Sequence, residues 1–200
     1  LMLGQASVYQ WVVLKKSKIE SIEDLRGKRV ATGAVGSGMV DAARRVLALY
    51  GIKPEDIDEQ FLTYKEGLNA LKDGKSDCTF ISASFPLGTL EALNVTHPIR
   101  LLSMEDDKLS EYIEGSPASY VRVIPANTYK GVDYPVKVLD AGTIICVGSW
   151  LPDELVFQML KTIYENLEEL GEQHPVLKTF IPLFIFKNYL STLGPLHPGA

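Results

Sequence analysis

Hydrophobic and polar positions follow two alternating periods through the first 115 residues of the chain. Short apolar runs, typical of buried strands, cover residues 8–14, 29–32, 60–63, 77–82 and 99–103. Helical patterns lie between these runs, at residues 22–25, 40–50, 64–72, 87–93 and 109–113. Strands that alternate with helices at this spacing form βαβ units. The pattern therefore predicts an α/β fold with a largely parallel sheet and helices on both faces.

The pattern changes after Gly115. Extended runs at residues 120–124 and 136–147 are separated by a stretch that contains two prolines and a glycine. An amphipathic helix is predicted over residues 152–170, and its apolar stripe is made by Leu155, Met159, Ile163 and Leu167. We interpret residues 115–135 as the passage from one lobe to another.

The stretch of residues 28–51 carries the strongest indication of a binding site. A β-type run leads into a loop with Gly33, Gly36 and Gly38, and a helical pattern follows until Gly51. A strand that turns through glycines into a helix directs free backbone N–H groups and the positive end of the helix dipole at whatever lies above the turn. This arrangement suits an anion such as phosphate or carboxylate, and we expect a ligand's carboxylate to sit on the N–H groups of Ser37, Gly38 and Met39.

Phosphate ligands fit this loop poorly. Residues 33–38 have the glycine spacing of a P-loop, but Met39 stands where that motif needs a phosphate-binding lysine. The glycines also resemble a dinucleotide loop, yet Glu55 and Asp56 lie in a turn and not at the end of a second strand. Glycines that only allow tight packing of a strand against a helix remain an alternative.

A second loop follows the strand predicted at residues 77–82. Because ligands of open α/β sheets bind outside the carboxyl ends of strands, this loop and the glycine loop could face one pocket. Ser37 and Ser84 would donate hydrogen bonds there, and Phe85 would give apolar cover. An ordinary connection between a strand and a helix is the alternative. The candidate ligand-binding residues are Gly36, Ser37, Gly38, Met39, Ala83, Ser84, Phe85 and Pro86.

Composition restricts the classes of function. The chain has 200 residues, of which 46% are hydrophobic and 22% charged, a globular balance. Its 20 Lys+Arg against 25 Asp+Glu give a formal charge of −5, which argues against a general nucleic-acid-binding protein. No apolar run approaches the ~18 residues of a membrane span, so direct membrane insertion is not expected.

Catalytic and metal-binding constellations are not found in the sequence. Each of the three histidines precedes a proline, which is typical of turns, and no serine lies in a Gly-x-Ser-x-Gly elbow. Cys78 and Cys146 lie in apolar runs and are expected to be buried free thiols, although one disulfide stays open. No cysteine and histidine cluster indicates zinc. Nothing in these residues requires catalysis, and a metal site is not expected.

Ordered motifs along most of the chain resemble the solute-binding receptors of TRAP transporters, of the TAXI family. The motifs are SIEDLRGKRV at 21–30, G..GSG at 33–38, AL..G..D at 70–77, IP..TY.G at 124–131, LP.E at 151–154, HP at 174–175 and PLHPGA at 195–200. The segment from Phe80 to Pro86 is similar to the loop that follows the third motif.

The resemblance implies a type II periplasmic-binding-protein-like fold, in which two α/β lobes with mixed, mainly parallel sheets close on a ligand. It implies a periplasmic receptor, its signal peptide removed, that hands a small organic anion (glutamate, glutamine or a dicarboxylate) to a TRAP membrane subunit. It also implies no enzyme activity and no bound cofactor. On this basis residues 1–20 are the hinge and a first-lobe strand, 21–118 a complete ligand-binding lobe, and 119–200 the return to the first lobe with C-terminal helices.

Two departures from the family accompany this resemblance. Family members carry more chain before this point, so we expect the first lobe to be incomplete here. Met39 also stands where the family usually has threonine, which could change ligand identity or affinity. The alternatives from other classes are the ligand-sensing domain of a transcription regulator, which shares this fold, and a nucleotide-binding enzyme.

Overall fold

A computed structural model describes residues 2–3, 6–116, 119–141, 144–173 and 197–199. The strands are β1 (Met2–Leu3), β2 (Val8–Leu14), β3 (Arg29–Ala31), β4 (Asp58–Gln60), β5 (Cys78–Ala83), β6 (Ile99–Leu102), β7 (Tyr120–Ile124), β8 (Val136–Asp140) and β9 (Ile144–Ile145). The helices are α1 (Gly38–Leu49), α2 (Tyr64–Lys72), α3 (Gly88–Thr96), α4 (Asp106–Gly115), α5 (Asp153–Glu165) and α6 (Leu167–Gln173).

The main sheet has the strand order β4-β3-β5-β2-β8-β7, and β6 shares one edge of β2 with β8. β3 runs parallel to β4 and β5, whereas β2 runs antiparallel to β5, β6 and β8. The α/β fold with a mixed sheet is thus confirmed. Its parallel share is smaller than expected, because β2 enters the centre of the sheet in the opposite direction to β3 and β5. Spacing between strands carries no information about that direction.

The central strand β2 is buried along its whole length because helices cover both faces of the sheet. Tyr9, Trp11 and Val13 point into one core, which α1 and α4 close. Val8 and Val12 point into a second core, which α2, α3 and the segment 124–138 close. The prediction of helices on both faces is confirmed.

Local signals in the sequence define several element ends. Gly51, at φ +65°, ends α1 in a Schellman motif, in which its N–H and that of Ile52 donate to carbonyls of the last turn. The strand predicted at residues 60–63 lies instead at Asp58–Gln60, because Thr63 is the N-cap of α2. The Thr63 hydroxyl accepts from the Glu66 N–H, and the Glu66 carboxylate accepts from the Thr63 N–H in return.

The helix predicted over residues 152–170 is wrong in two respects. It divides into α5 and α6 at Asn166. The predicted stripe does not face inward as a whole, since Leu155 is 47% and Met159 42% exposed while Val156 is 1% exposed. Apolar residues occur on more than one side of this helix, so its period alone did not determine which side is buried.

The run predicted as extended over residues 136–147 contains two strands. β8 joins the main sheet, and the two-residue strand β9 pairs with β1. Cys78, in the middle of the sheet, is a buried free thiol as expected. The same expectation is wrong for Cys146, which is a free and exposed thiol, because it follows β9 and lies outside the main sheet.

The main sheet contains strands from all three segments assigned above, since β2, β3–β6 and β7–β8 are hydrogen-bonded together. The assignment of the segments 1–20, 21–118 and 119–200 to lobes stays a prediction. The HP motif at 174–175 and residues 195, 196 and 200 of the PLHPGA motif lie outside the described residues. Among the helices that the structure describes, none combines the length and apolarity needed to cross a bilayer.

Candidate functional site

One edge of the main sheet collects the loops that the sequence singled out. Because β3 and β5 are parallel neighbours, with Ala31 opposite Thr79, their carboxyl ends point to the same edge. β2 begins there, with Val8 opposite both Ala83 and Asp140. We call this side of the sheet, where β3, β5 and β8 end and β2 and β7 begin, the loop edge.

The glycine loop occupies the loop edge between β3 and α1, as predicted. Gly33, at φ +140°, and Gly36, at φ +73°, adopt backbone conformations that side-chain-bearing residues rarely adopt. A Cβ atom on Gly33 would lie 2.7 Å from the Cβ of Met39, so the loop also folds too tightly there for any side chain. Two of the glycines are therefore required by the turn itself.

The first N–H groups of α1 are only partly available to a ligand. The N–H of Ser37 donates to the carbonyl of Ala34 at 3.0 Å, so the expectation that it faces the ligand is wrong. Gly38 and Met39 are the first two residues of α1, and an α-helix leaves such N–H groups without an acceptor inside the helix. These two groups, with the helix dipole behind them, are the donors of this loop to which an anion could bind.

The Ser37 side chain does not point toward an outside ligand. Its hydroxyl oxygen is buried and has no hydrogen-bond partner within the described part of the chain, and it makes no cap bond to α1. It lies 2.9 Å from the position that a Cβ on Gly33 would occupy, so it packs against the loop. Met39 likewise packs partly against the first core.

The second loop leaves β5 at Ala83 and reaches α3 through Ser84, Phe85 and Pro86. Ser84 is buried, Pro86 is exposed, and the peptide bond between Phe85 and Pro86 is cis. Ala83 and Phe85 pack against the second core. Contrary to the expectation, the Phe85 ring therefore does not lie free above a pocket. No hydrogen bond joins this loop to the glycine loop among the described residues, and the two share the loop edge through the pairing of β3 with β5.

A buried polar pair behind the second loop was not found from the sequence. The amide nitrogen of Gln10 donates to the carbonyl of Ala83 at 3.2 Å, and its amide oxygen accepts from the Tyr129 hydroxyl at 2.9 Å. The same hydroxyl accepts from the N–H of Leu87 at 3.0 Å. Burial raises the pKa of Tyr129 to about 12, so this hydroxyl keeps its proton at neutral pH. Gln10 was detectable in principle, because it is the one polar residue inside the run VYQWVVL.

A second polar group at the loop edge was also missed. The buried carboxylate of Asp140 accepts from the Ser7 N–H at 2.9 Å, the Tyr120 hydroxyl at 2.7 Å and Arg122 Nε at 2.6 Å. The hydroxyls of Ser7 and Ser82 lie 2.7 Å apart. Burial, together with the hydrogen bond to Asp140, raises the pKa of Tyr120. Through Ser7, which bonds to both Asp140 and Ser82, this group fastens the start of β2 to the ends of β8 and β5. The pairing of Arg122 with Asp140 adds β7 to the same group.

Within the residues that the structure describes, no group of three or more His, Cys, Asp and Glu side chains could hold a metal ion.

The loop edge offers backbone N–H donors at the start of α1 and, after the neighbouring strand β5, a loop that is anchored in the core. Such an arrangement can bind a small anion through hydrogen bonds and the helix dipole.

The fold is that of periplasmic binding proteins. The periplasmic aliphatic sulphonate-binding protein SsuA from Escherichia coli is 16% identical with a TM-score of 0.51, over 95% of this chain and 55% of that one. The putative periplasmic sulfonate-binding protein SsuA from Methylobacillus flagellatus KT is 16% identical with a TM-score of 0.53, over 90% and 47%. The alkanesulfonate-binding protein SsuA from Xanthomonas axonopodis pv. citri is 28% identical with a TM-score of 0.40, over 51% and 36%.

The chain thus spans about half the length of the E. coli protein and about half that of the Methylobacillus protein. The periplasmic-binding-protein-like fold implied by the resemblance is confirmed. A family model covers the chain from residue 1 to residue 200, and the chain belongs to the NMT1-like family.

Proposed function

We propose that this chain binds a small organic anion outside the cytoplasm and delivers it to a membrane transporter, without catalysis and without a cofactor. The ligand class is that of glutamate, glutamine and dicarboxylates. Membership of the NMT1-like family and the periplasmic-binding-protein fold support a binding function. The two-lobed closure, the periplasmic location and the ligand class rest on the sequence resemblance to TAXI receptors.

The observation that carries the proposal is the position of the α1 N-terminus at the loop edge. The N–H groups of Gly38 and Met39 stand there after β3, and the loop 84–86 follows the neighbouring parallel strand β5 at the same edge. Open α/β sheets bind their ligands at this place. A carboxylate on these two N–H groups would gain charge-assisted hydrogen bonds and a favourable interaction with the helix dipole.

A single substitution tests this geometry. Gly38→Pro removes one of the two N–H groups, and proline is well tolerated at the first position of a helix. Ser37 already has φ −84° and ψ 148°, the conformation that precedes a proline. Gly38→Ala is the matched control, because it keeps the N–H and a Cβ there meets nothing within 4 Å.

Calorimetry with L-glutamate, L-glutamine, succinate and ethanesulfonate would find the ligand and measure both variants. The sulfonate is included because two proteins of this fold are named for sulfonate binding. A hydrogen bond to a charged group contributes about 1.5–3 kcal/mol, so Gly38→Pro should weaken binding about 10- to 150-fold. Equal affinities of Gly38→Pro and Gly38→Ala would show that the anion does not sit at the α1 N-terminus.

The transporter partner is proposed as a TRAP membrane subunit, from the resemblance of the motifs. One protein of this fold is described as part of a sulfonate ABC transporter, which is the competing partner class. The neighbouring genes distinguish them: a fused TRAP membrane subunit supports the proposal, whereas a permease and an ATPase gene would replace it with an ABC system.

A further inference from the structure

The loop 84–86 is held at both ends by side chains that approach from the core. Its first end is the carbonyl of Ala83, which accepts from the Gln10 amide at 3.2 Å. Its second end is the N–H of Leu87, which donates to the Tyr129 hydroxyl at 3.0 Å. Gln10 and Tyr129 also bond to each other, at 2.9 Å, so one continuous chain of hydrogen bonds spans the loop.

Both members of this pair are buried where an apolar residue would normally stand. Gln10 is 0% and Tyr129 1% exposed. Burial of an amide or a hydroxyl is unfavourable unless hydrogen bonds replace those lost to water. Here Gln10 uses both ends of its amide, and the Tyr129 hydroxyl both donates and accepts. The pair is therefore built for these backbone partners, since filling the space would require only an apolar side chain.

The segment that carries Tyr129 is itself fixed. The amide nitrogen of Asn94 donates to the carbonyl of Lys130 at 2.8 Å, and Lys15 Nζ donates to the carbonyl of Gly131 at 3.1 Å. Tyr129 is thus held by neighbours on α3 and just after β2. The position of the loop is consequently determined by a rigid support and not by contacts of the loop alone.

We propose that Gln10 and Tyr129 are positioning residues, which hold the loop 84–86 in the geometry that receives the ligand. Neither residue contacts the ligand. They act by fixing the loop ends, so that Ser84 and the backbone around it are in place before the ligand arrives. Such preorganisation raises affinity because the loop loses less conformational freedom on binding. The inference rests on the proposed function, because it takes this loop to be one wall of the anion site.

The test compares Tyr129→Phe with Tyr134→Phe in the full chain. Tyr134 comes from the same part of the chain, packs against the same core, and donates its hydroxyl to the carbonyl of Leu101 at 3.0 Å. Each variant loses one hydroxyl and one backbone partner, but only Tyr129→Phe releases the loop, and it also removes the donor to the Gln10 amide oxygen. The readouts are the exchange rate of the Leu87 amide by NMR, and the affinity for the tightest of the four probes named above.

We expect the Leu87 amide to exchange at least about tenfold faster in Tyr129→Phe, because its acceptor is gone, and to be unchanged in Tyr134→Phe. We expect affinity to fall about tenfold in Tyr129→Phe and less than about twofold in Tyr134→Phe. Gln10→Leu, which releases the other end, should weaken binding similarly, and the double variant should lose less than the product of the two effects.

Two results would overturn the inference. An unchanged Leu87 exchange rate in Tyr129→Phe would show that the pair does not anchor the loop. A faster exchange with unchanged affinity would show that anchoring has no role in binding. If none of the four probes bound the unaltered chain, the proposed function would fail for these ligands, and the Leu87 exchange rate would still decide whether the pair anchors the loop.

Discussion

Replacement of Gly67 by alanine should destabilise the protein, although alanine is the better helix former. Gly67 lies on the side of α2 that faces the sheet. A Cβ atom there would lie 2.7 Å from Thr79 Cγ2 and 3.1 Å from Ala31 Cβ. Carbon atoms in contact normally stay about 3.5–4.0 Å apart, so the new methyl group would overlap the Thr79 methyl by about 1 Å.

The surroundings leave little room for relief. Thr79 is fully buried within β5, and its branched side chain has a stiff χ1 angle. Overpacking of this kind typically costs about 1–3 kcal/mol, whereas the higher helix propensity of alanine returns about 1 kcal/mol. Because both close contacts are with the sheet, we expect a cost in the upper part of that range, about 2–3 kcal/mol, and hence a net loss of about 1–2 kcal/mol in the free energy of unfolding.

Urea unfolding followed by tryptophan fluorescence measures this loss, since Trp11 is fully buried. Gly115→Ala is the control: it lies in α4, a Cβ there meets nothing within 4 Å, and its effect should be between neutral and about 1 kcal/mol stabilising. Thr79→Ser removes the overlapping methyl group. This substitution should therefore cost less stability when it is added to Gly67→Ala than when it is made in the unaltered chain. A Gly67→Ala variant as stable as the unaltered chain would refute the close approach of α2 to β5.

Two further predictions concern charge and thiol chemistry. Hydrogen bonds from Arg29 lower the pKa of Asp77, so their stabilisation is present above the ordinary pKa of about 4 and is lost as the pH falls through the lowered value. Asp77→Asn should therefore be less stable than the unaltered chain at pH 6, and this difference should shrink as the pH falls below about 4. A difference in the free energy of unfolding that is the same at pH 6 and pH 2 would contradict this. With a thiol reagent under native conditions, exposed Cys146 should react while Cys78 reacts only after unfolding, because Cys78 is buried and burial raises its pKa; modification of both in the folded protein would contradict the placement of Cys78.

Local chemistry made much of the fold predictable from the sequence. The glycine loop, the stop of α1 at Gly51 and the bounds of α2 depend on backbone conformations and caps that a few neighbouring residues specify. The alternation of strands and helices likewise follows from the period of apolar positions. These predictions succeeded because each depends on residues close together in the chain.

Other features depended on residues far apart. The direction of β2 in the sheet and the buried side of α5 are decided by which surfaces meet in three dimensions, and neither is encoded in a period. The Ser37 N–H is a local exception, because a turn to the carbonyl of Ala34, three residues earlier, uses a group that its sequence position made look available. The Phe85 ring looked like ligand cover, yet the second core takes it up.

The sequence by itself thus determined that a glycine loop and a helix N-terminus follow the first parallel strand, and which loops lie at the carboxyl ends of strands. Only the tertiary structure decided which groups of those loops remain for a ligand and what holds them. Gln10 and Tyr129 are 119 residues apart in the chain. Their hydrogen bond exists only because the segment after β7 packs against the face of the sheet on which Gln10 of β2 lies. A pattern of apolar positions records burial, whereas the pairing of buried polar groups is a property of the folded chain.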